Sequence, residues 1–114
     1  MIEADKQRLI KILSNWDNLQ QEFEKRGITK EDVLNDSFVQ WAVTTPLYNI
    51  GEHVNNLSKD FVVQYPQIPW SKIAGLRHRL VHNYDGTNWN IIVEVIYEDF
   101  PVFISEVREI VDED

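Results

Sequence analysis

Leu9-Ile10-Lys11-Ile12-Leu13-Ser14-Asn15-Trp16-Asp17-Asn18-Leu19-Gln20-Gln21-Glu22-Phe23 sets apolar side chains at 9, 12, 13, 16, 19 and 23. Steps of three and four follow the roughly 3.6-residue turn of an α-helix. The stretch therefore predicts an amphipathic first helix ending near Arg26-Gly27. The same period continues down the chain. Thr29-Lys30-Glu31-Asp32 reads as a helix start with acidic groups in its first turn. After a short turn through Leu34, a long helix is expected from about Asp36 to Lys59, with Phe38, Trp41, Ala42, Leu47, Ile50, Val54 and Leu57 apolar. Pro46 lies inside it and is expected to kink it.

Tyr65-Pro66-Gln67-Ile68-Pro69 reads as an extended connector, because residues before proline avoid the helical region. Pro69 suits the first position of a third helix through about His82. Asp85-Gly86-Thr87-Asn88 is a break, and Thr87 or Asn88 can cap a fourth helix from Trp89. Asp99-Phe100-Pro101 is expected to interrupt that helix. A last amphipathic segment runs to about Val111, and Asp112-Glu113-Asp114 is expected to fray. The fold class is all-α: an up-and-down bundle of four to five helices forming a single domain over residues 1–114.

Composition agrees. The chain of 114 residues is 43% hydrophobic, with four Trp, four Tyr and five Phe, enough for a packed core. The absence of cysteine excludes disulfides, thiol nucleophiles and thiolate metal sites. Met1-Ile2-Glu3-Ala4-Asp5-Lys6 is polar and acidic, unlike a signal peptide. No run approaches the ~18 apolar residues of a membrane span. A soluble, cytoplasmic protein without membrane contact is the expectation.

The net charge of −8 opposes general nucleic-acid binding. Its distribution is uneven. Phe61 to Tyr84 holds no Asp or Glu but contains Lys72, Arg77, Arg79 and two of the three His residues, so this window is +3 and the remainder −11. A basic island on an acidic body can meet a phosphate backbone locally. Inside the window, Arg77-His78-Arg79-Leu80-Val81-His82-Asn83-Tyr84 spells Arg-x-x-x-x-His-x-Tyr. Arg is a permanent planar phosphate donor, His titrates near neutral pH, and Tyr offers a modifiable hydroxyl.

On a helical wheel Arg77 and Tyr84 share an arc with Trp70, Ile73, Ala74, Leu76, Leu80 and Val81, whereas Lys72, His78, Arg79, His82 and Asn83 lie opposite. A charge on an apolar face needs a partner, and Glu52 in Ile50-Gly51-Glu52 is the candidate. If that pair is buried, truncating the partner costs about 3–5 kcal/mol. His82 lies about 140° around from Arg77 on a regular helix, so the two converge only if the helix loosens near Asp85-Gly86 or a second copy completes the site. His78 and His82 have metal-ligand spacing but lack a third ligand, and no metal or other cofactor is expected.

The motif resembles the signature of HepT-like toxins, members of the HEPN superfamily of α-helical ribonucleases. The resemblance extends to Ile50-Gly51-Glu52, to Tyr65-Pro66-Gln67-Ile68-Pro69-Trp70 leading into Ile73-Ala74-Gly75-Leu76-Arg77, and to Asp99-Phe100-Pro101, spanning roughly Phe38 to Val107. It implies a HEPN-like homodimer with both motifs in one cleft, and metal-independent endoribonuclease activity on RNA. It also implies neutralisation by a cognate minimal nucleotidyltransferase of the MntA type, in a type VII-like toxin–antitoxin pair. Arg77 and His82 then match the catalytic pair and Tyr84 the residue modified by adenylation (AMPylation), with Glu52, Arg79 and Asn83 in support. The alternative is a non-catalytic helical module that binds a nucleotide or a partner nucleotidyltransferase, with Arg77 structural. Dimerisation is also expected on a second ground, because Trp70, Ile73, Leu80 and the apolar edges of the long helix exceed what one small bundle needs.

Overall fold

The first apolar stripe forms a helix as its spacing dictates. In a computed structural model, which describes residues 1–81 and 86–114, helix α1 (Glu3–Arg26) buries Leu9, Ile12, Leu13, Trp16, Leu19 and Phe23. His82, Asn83, Tyr84 and Asp85 lie outside the described residues, as does the Val81 side chain. Gly27 closes α1 with φ of 64°, a left-handed conformation that a side chain would strain. Helix α2 (Lys30–Asn35) opens with a capping box: the Thr29 hydroxyl accepts from Asp32 N–H at 3.2 Å, and Asp32 Oδ2 accepts from Thr29 N–H at 2.9 Å.

Helix α3 (Ser37–Asn55) starts at Asp36, whose Oδ1 accepts from Phe38 N–H at 2.9 Å, and it continues through Pro46. It is shorter than expected. The chain turns at Asn56, and a separate turn, α4 (Lys59–Val62), starts where the Ser58 hydroxyl accepts from Phe61 N–H. The buried stripe of α3 also differs from the expected one: Val39, Val43, Leu47, Ile50 and Val54 face inward. Phe38 and Trp41 are each 71% exposed, and Ala42 is exposed too. Three- and four-residue steps fit two overlapping stripes here, and contact with α1 selects the Val39–Val43 one.

Pro69 is the cap before α5 (Trp70–Ala74) rather than its first residue. Gly75 joins α5 to α6 (Leu76–Val81); it donates to the Ser71 carbonyl at 2.9 Å and accepts from Arg79 N–H at 3.2 Å, so the two form one loosened helical run. Asn88, not Thr87, caps α7 (Trp89–Glu94), its Oδ1 accepting from Asn90 N–H at 3.1 Å. Asp99-Phe100-Pro101 does not break the last helix. The run widens into a π-helical turn (Val95–Asp99) and continues as α8 (Phe100–Glu113), with Pro101 in the first turn, where its missing N–H costs little. The C-terminal tail does not fray either: α8 reaches Glu113, and Lys6 Nζ lies 3.1 Å from Asp114 Oδ2.

The fold is all-α, with no strand among the described residues. Helix α3 is central, packing on α1, α2, α5 and α6, while α8 covers α1. Aromatic rings link these layers. Trp16 stacks on Phe100 at 4.4 Å, Phe103 meets Phe100 and Trp70 edge-on, and Trp70 Nε1 donates to the Tyr65 carbonyl at 3.1 Å. Trp70, Ile73 and Leu80 are therefore consumed inside the chain's own core, and they do not supply the surplus apolar surface expected of them. The exposed apolar surface on α3 is Phe38 and Trp41 instead.

Asp5 is the one charged residue in the described core, at 3% exposure. It lies four residues before Leu9, on the buried stripe of α1. Its carboxylate accepts from Ser58 N–H at 2.9 Å and from the Ser58 hydroxyl at 2.7 Å, tying the start of α1 to the cap of α4. Hydrogen bonds to a charged group are worth about 1.5–3 kcal/mol, and removing the acceptor leaves buried donors unpaired. We predict that Asp5→Ala lowers unfolding stability by about 2 kcal/mol in urea titrations. The exposed Glu3→Ala should change it by less than about 0.5 kcal/mol.

Candidate active site

The site is organised by a missing side chain. Gly51 is buried where α3 crosses the α5–α6 run, and a Cβ built there would lie 3.1 Å from Arg77 N, 3.3 Å from Ile73 O and 3.4 Å from Ala74 O. Those neighbours are backbone atoms in helices and cannot swing away. Glycine lets the two backbones approach this closely, so the next residue on α3, Glu52, comes within reach of Arg77.

The contact expected from the sequence forms. Arg77 Nη1 donates to Glu52 Oε1 at 2.7 Å. Its environment differs from the expected one. The two side chains are 38% and 37% exposed, so the pair sits at a surface rather than in the core. An exposed pair contributes about 0–1 kcal/mol, and the 3–5 kcal/mol appropriate to a buried pair does not apply. Glu52 occupies only one of the guanidinium's five N–H donors. The remaining donors have no other protein partner among the described residues, and they can serve an incoming anion.

The charge around Arg77 is not that of the sequence window. Lys72 Nζ lies 2.9 Å from Asp99 Oδ2, and this charged contact raises the lysine's pKa. Two of the window's three cations therefore have carboxylate partners from other helices. Arg79 is exposed and makes no ion pair among the described residues. Meanwhile α1 contributes charge that the window does not contain. Arg8 Nη1 lies 3.4 Å from His53 Nδ1, one residue from Glu52. Burial lowers the His53 pKa first, then the charges of Arg8 and Lys11, against an upward pull from Glu52. The imidazole therefore stays neutral at neutral pH, and Nδ1 can accept from Arg8.

Of the residues singled out from sequence, Glu52, Arg77 and Arg79 lie within the described residues, and the fold joins the first two. His82, Tyr84 and Asn83 lie outside them. Arg8 and His53 escaped the sequence reading, because each is an ordinary polar position on its helix and only the crossing of α1 with α3 brings them together.

The chain is similar to known proteins along most of its length. The HepT-like family model, described as ribonuclease HepT-like, matches residues 8–110. A protein of Methanocaldococcus jannaschii named as a candidate RNase is 42% identical over 84 residues, covering 74% of this chain and 69% of that one. Another so named, from Caldanaerobacter subterraneus, is 40% identical and covers 75% and 76%. A Thermococcus cleftensis protein named "Probable ribonuclease HepT" is 39% identical, covering 67% and 69%. No solved structure is significantly similar to the chain. With nearly its whole length matched, from Arg8 on α1 to Ile110 on α8, the chain belongs to the HepT-like ribonuclease family.

Proposed function

We propose that this protein is a metal-independent endoribonuclease that acts as the toxin of a type VII-like toxin–antitoxin pair in the cytoplasm. The observation that supports it best is Arg77: anchored through a single N–H to Glu52, half-exposed, with donors left over for a phosphate. The ribonuclease names of its relatives point the same way. In the reaction, His82 removes the proton from a ribose 2′-hydroxyl, or protonates the leaving oxygen, near neutral pH. The 2′-oxygen attacks the adjacent phosphorus, the bond from phosphorus to the 5′-oxygen breaks, and that oxygen takes up a proton. Arg77 stabilises the charge that develops on the phosphoryl oxygens. The product ends in a 2′,3′-cyclic phosphate.

A homodimer would bring two copies of the motif into one cleft, each supplying an Arg77 and a His82. Arg79 and Asn83 would support the same site. A cognate minimal nucleotidyltransferase would silence it by transferring adenylate from ATP to the Tyr84 hydroxyl, which loses its proton as pyrophosphate leaves. That adds bulk and negative charge two residues from His82, where the RNA phosphate must lie.

We predict RNA cleavage that persists in EDTA and falls at least about a hundredfold in folded Arg77→Ala and His82→Ala variants, the usual scale for losing one such group. Undiminished cleavage by folded His82→Ala would sink the catalytic assignment. Absence of cleavage by the wild type would favour a non-catalytic module that binds a nucleotide or the nucleotidyltransferase. Intact-mass analysis with the active partner and ATP should show a gain of adenylate on the wild type and none on Tyr84→Phe. A gain that survives in Tyr84→Phe would place the modification elsewhere.

A further inference from the structure

Beside the α5–α6 run lies a cavity of about 460 Å³, open to solvent and lined by Gln40, Trp41, Thr45, Leu80, Thr87 and Trp89 among others. Its walls come from α3, α6 and α7, and of its lining residues Leu80 lies within the Arg77–Tyr84 motif and Thr87 follows it in sequence. The volume falls within the roughly 300–1,000 Å³ usual for small-ligand pockets. Its lining sets two indoles beside an amide and hydroxyls, the mix of aromatic and polar groups usual for ligand pockets. The Trp41 indole is 71% exposed, so its face is available for stacking.

Gln40 defines the polar wall. Its Nε2 donates to the carbonyls of Val33 and Leu34, both at 3.0 Å, which uses both amide hydrogens and fixes the orientation of the group. The Oε1 oxygen is left as an acceptor without a protein partner among the described residues. An aromatic platform next to a fixed acceptor suits a flat heteroaromatic ring with a donor on its edge. Every RNA base has a π-face and at least one such donor. Unstacked bases of single-stranded RNA are held by stacking on aromatic side chains and by hydrogen bonds to their edges.

We propose that this cavity is a nucleobase subsite of the RNA substrate, with Trp41 as the stacking platform and Gln40 as the edge acceptor. The proposal rests on the ribonuclease reading and deepens it: Arg77 takes the phosphate, and a base of the same strand is seated on α3. Because stacking dominates, the subsite tolerates any base.

The test compares the wild type, Trp41→Ala and Trp41→Phe. The probe is a short 2′-O-methyl oligoribonucleotide, which lacks the attacking hydroxyl, with its fully abasic counterpart as control. Trp41→Ala should weaken binding of the base-bearing probe about tenfold, and Trp41→Phe should restore most of it. The abasic chain should bind all three proteins alike. With cleavable RNA, Trp41→Ala should raise KM by a similar factor and leave kcat near the wild-type value. Equal affinity of the wild type and Trp41→Ala for the base-bearing probe, with RNA still cleaved, would overturn the subsite and leave the ribonuclease reading intact. A change in molar mass of Trp41→Ala by light scattering would assign Trp41 to a contact between copies and overturn it as well. A wild type that neither binds the probe nor cleaves RNA would remove the ribonuclease reading and the subsite with it.

Discussion

The close approach of two backbones at Gly51 is the constraint on which the rest of the site depends. A methyl group there would press on the amide of Arg77 and the carbonyls of Ile73 and Ala74, none of which can rotate out of the way. Alanine is the better helix former by about 1 kcal/mol, so a glycine in the middle of α3 is explained by contact and not by local preference. The approach serves two ends at once. It seals Ile50, Ile73 and Leu76 into the core, and it sets Glu52 against Arg77 at the rim. The site is thus built on a close crossing of two helical backbones, which keeps a long side chain oriented while leaving it half in solvent.

That position resolves a tension in the chain's charge. A strongly acidic protein repels RNA as a whole, and in three dimensions carboxylates also claim Lys72 and Arg77. What remains is local: the spare donors of Arg77, the exposed Arg79, and the cations Arg8 and Lys11 around His53. A site with so few free cations gains little from general electrostatic attraction to an anion. Grip on a strand must then come from another source, and stacking on indole is one that acidity does not weaken.

Much of the fold was legible because α1 carries a single unambiguous stripe and because caps announce themselves. Thr29 with Asp32, Gly27 and Asn88 act as their sequence contexts suggest. The misreadings share a physical cause. On α3 two apolar stripes overlap, and only the partner helix decides between them, so the spacing alone does not tell that Phe38 and Trp41 face solvent. At Asp99-Phe100-Pro101 a π-helical turn absorbs a proline that local rules treat as a stop. Within the site, Glu52 and Arg77 could be paired from sequence because a charge on an apolar arc requires a counter-charge. Asp5, Arg8 and His53 could not, because their partners arrive from helices some fifty residues away.

The chemistry at the end of the cut RNA is the most direct measure of this account. A 2′-hydroxyl attack guided by Arg77 and His82 must leave a 2′,3′-cyclic phosphate and a free 5′-hydroxyl. Attack by an activated water on the phosphorus would leave no cyclic product. Mass spectrometry of the fragments that the purified protein produces from a defined RNA in EDTA should find the cyclic phosphate on the upstream fragment. A 3′-hydroxyl with a 5′-phosphate on the downstream fragment would contradict the account.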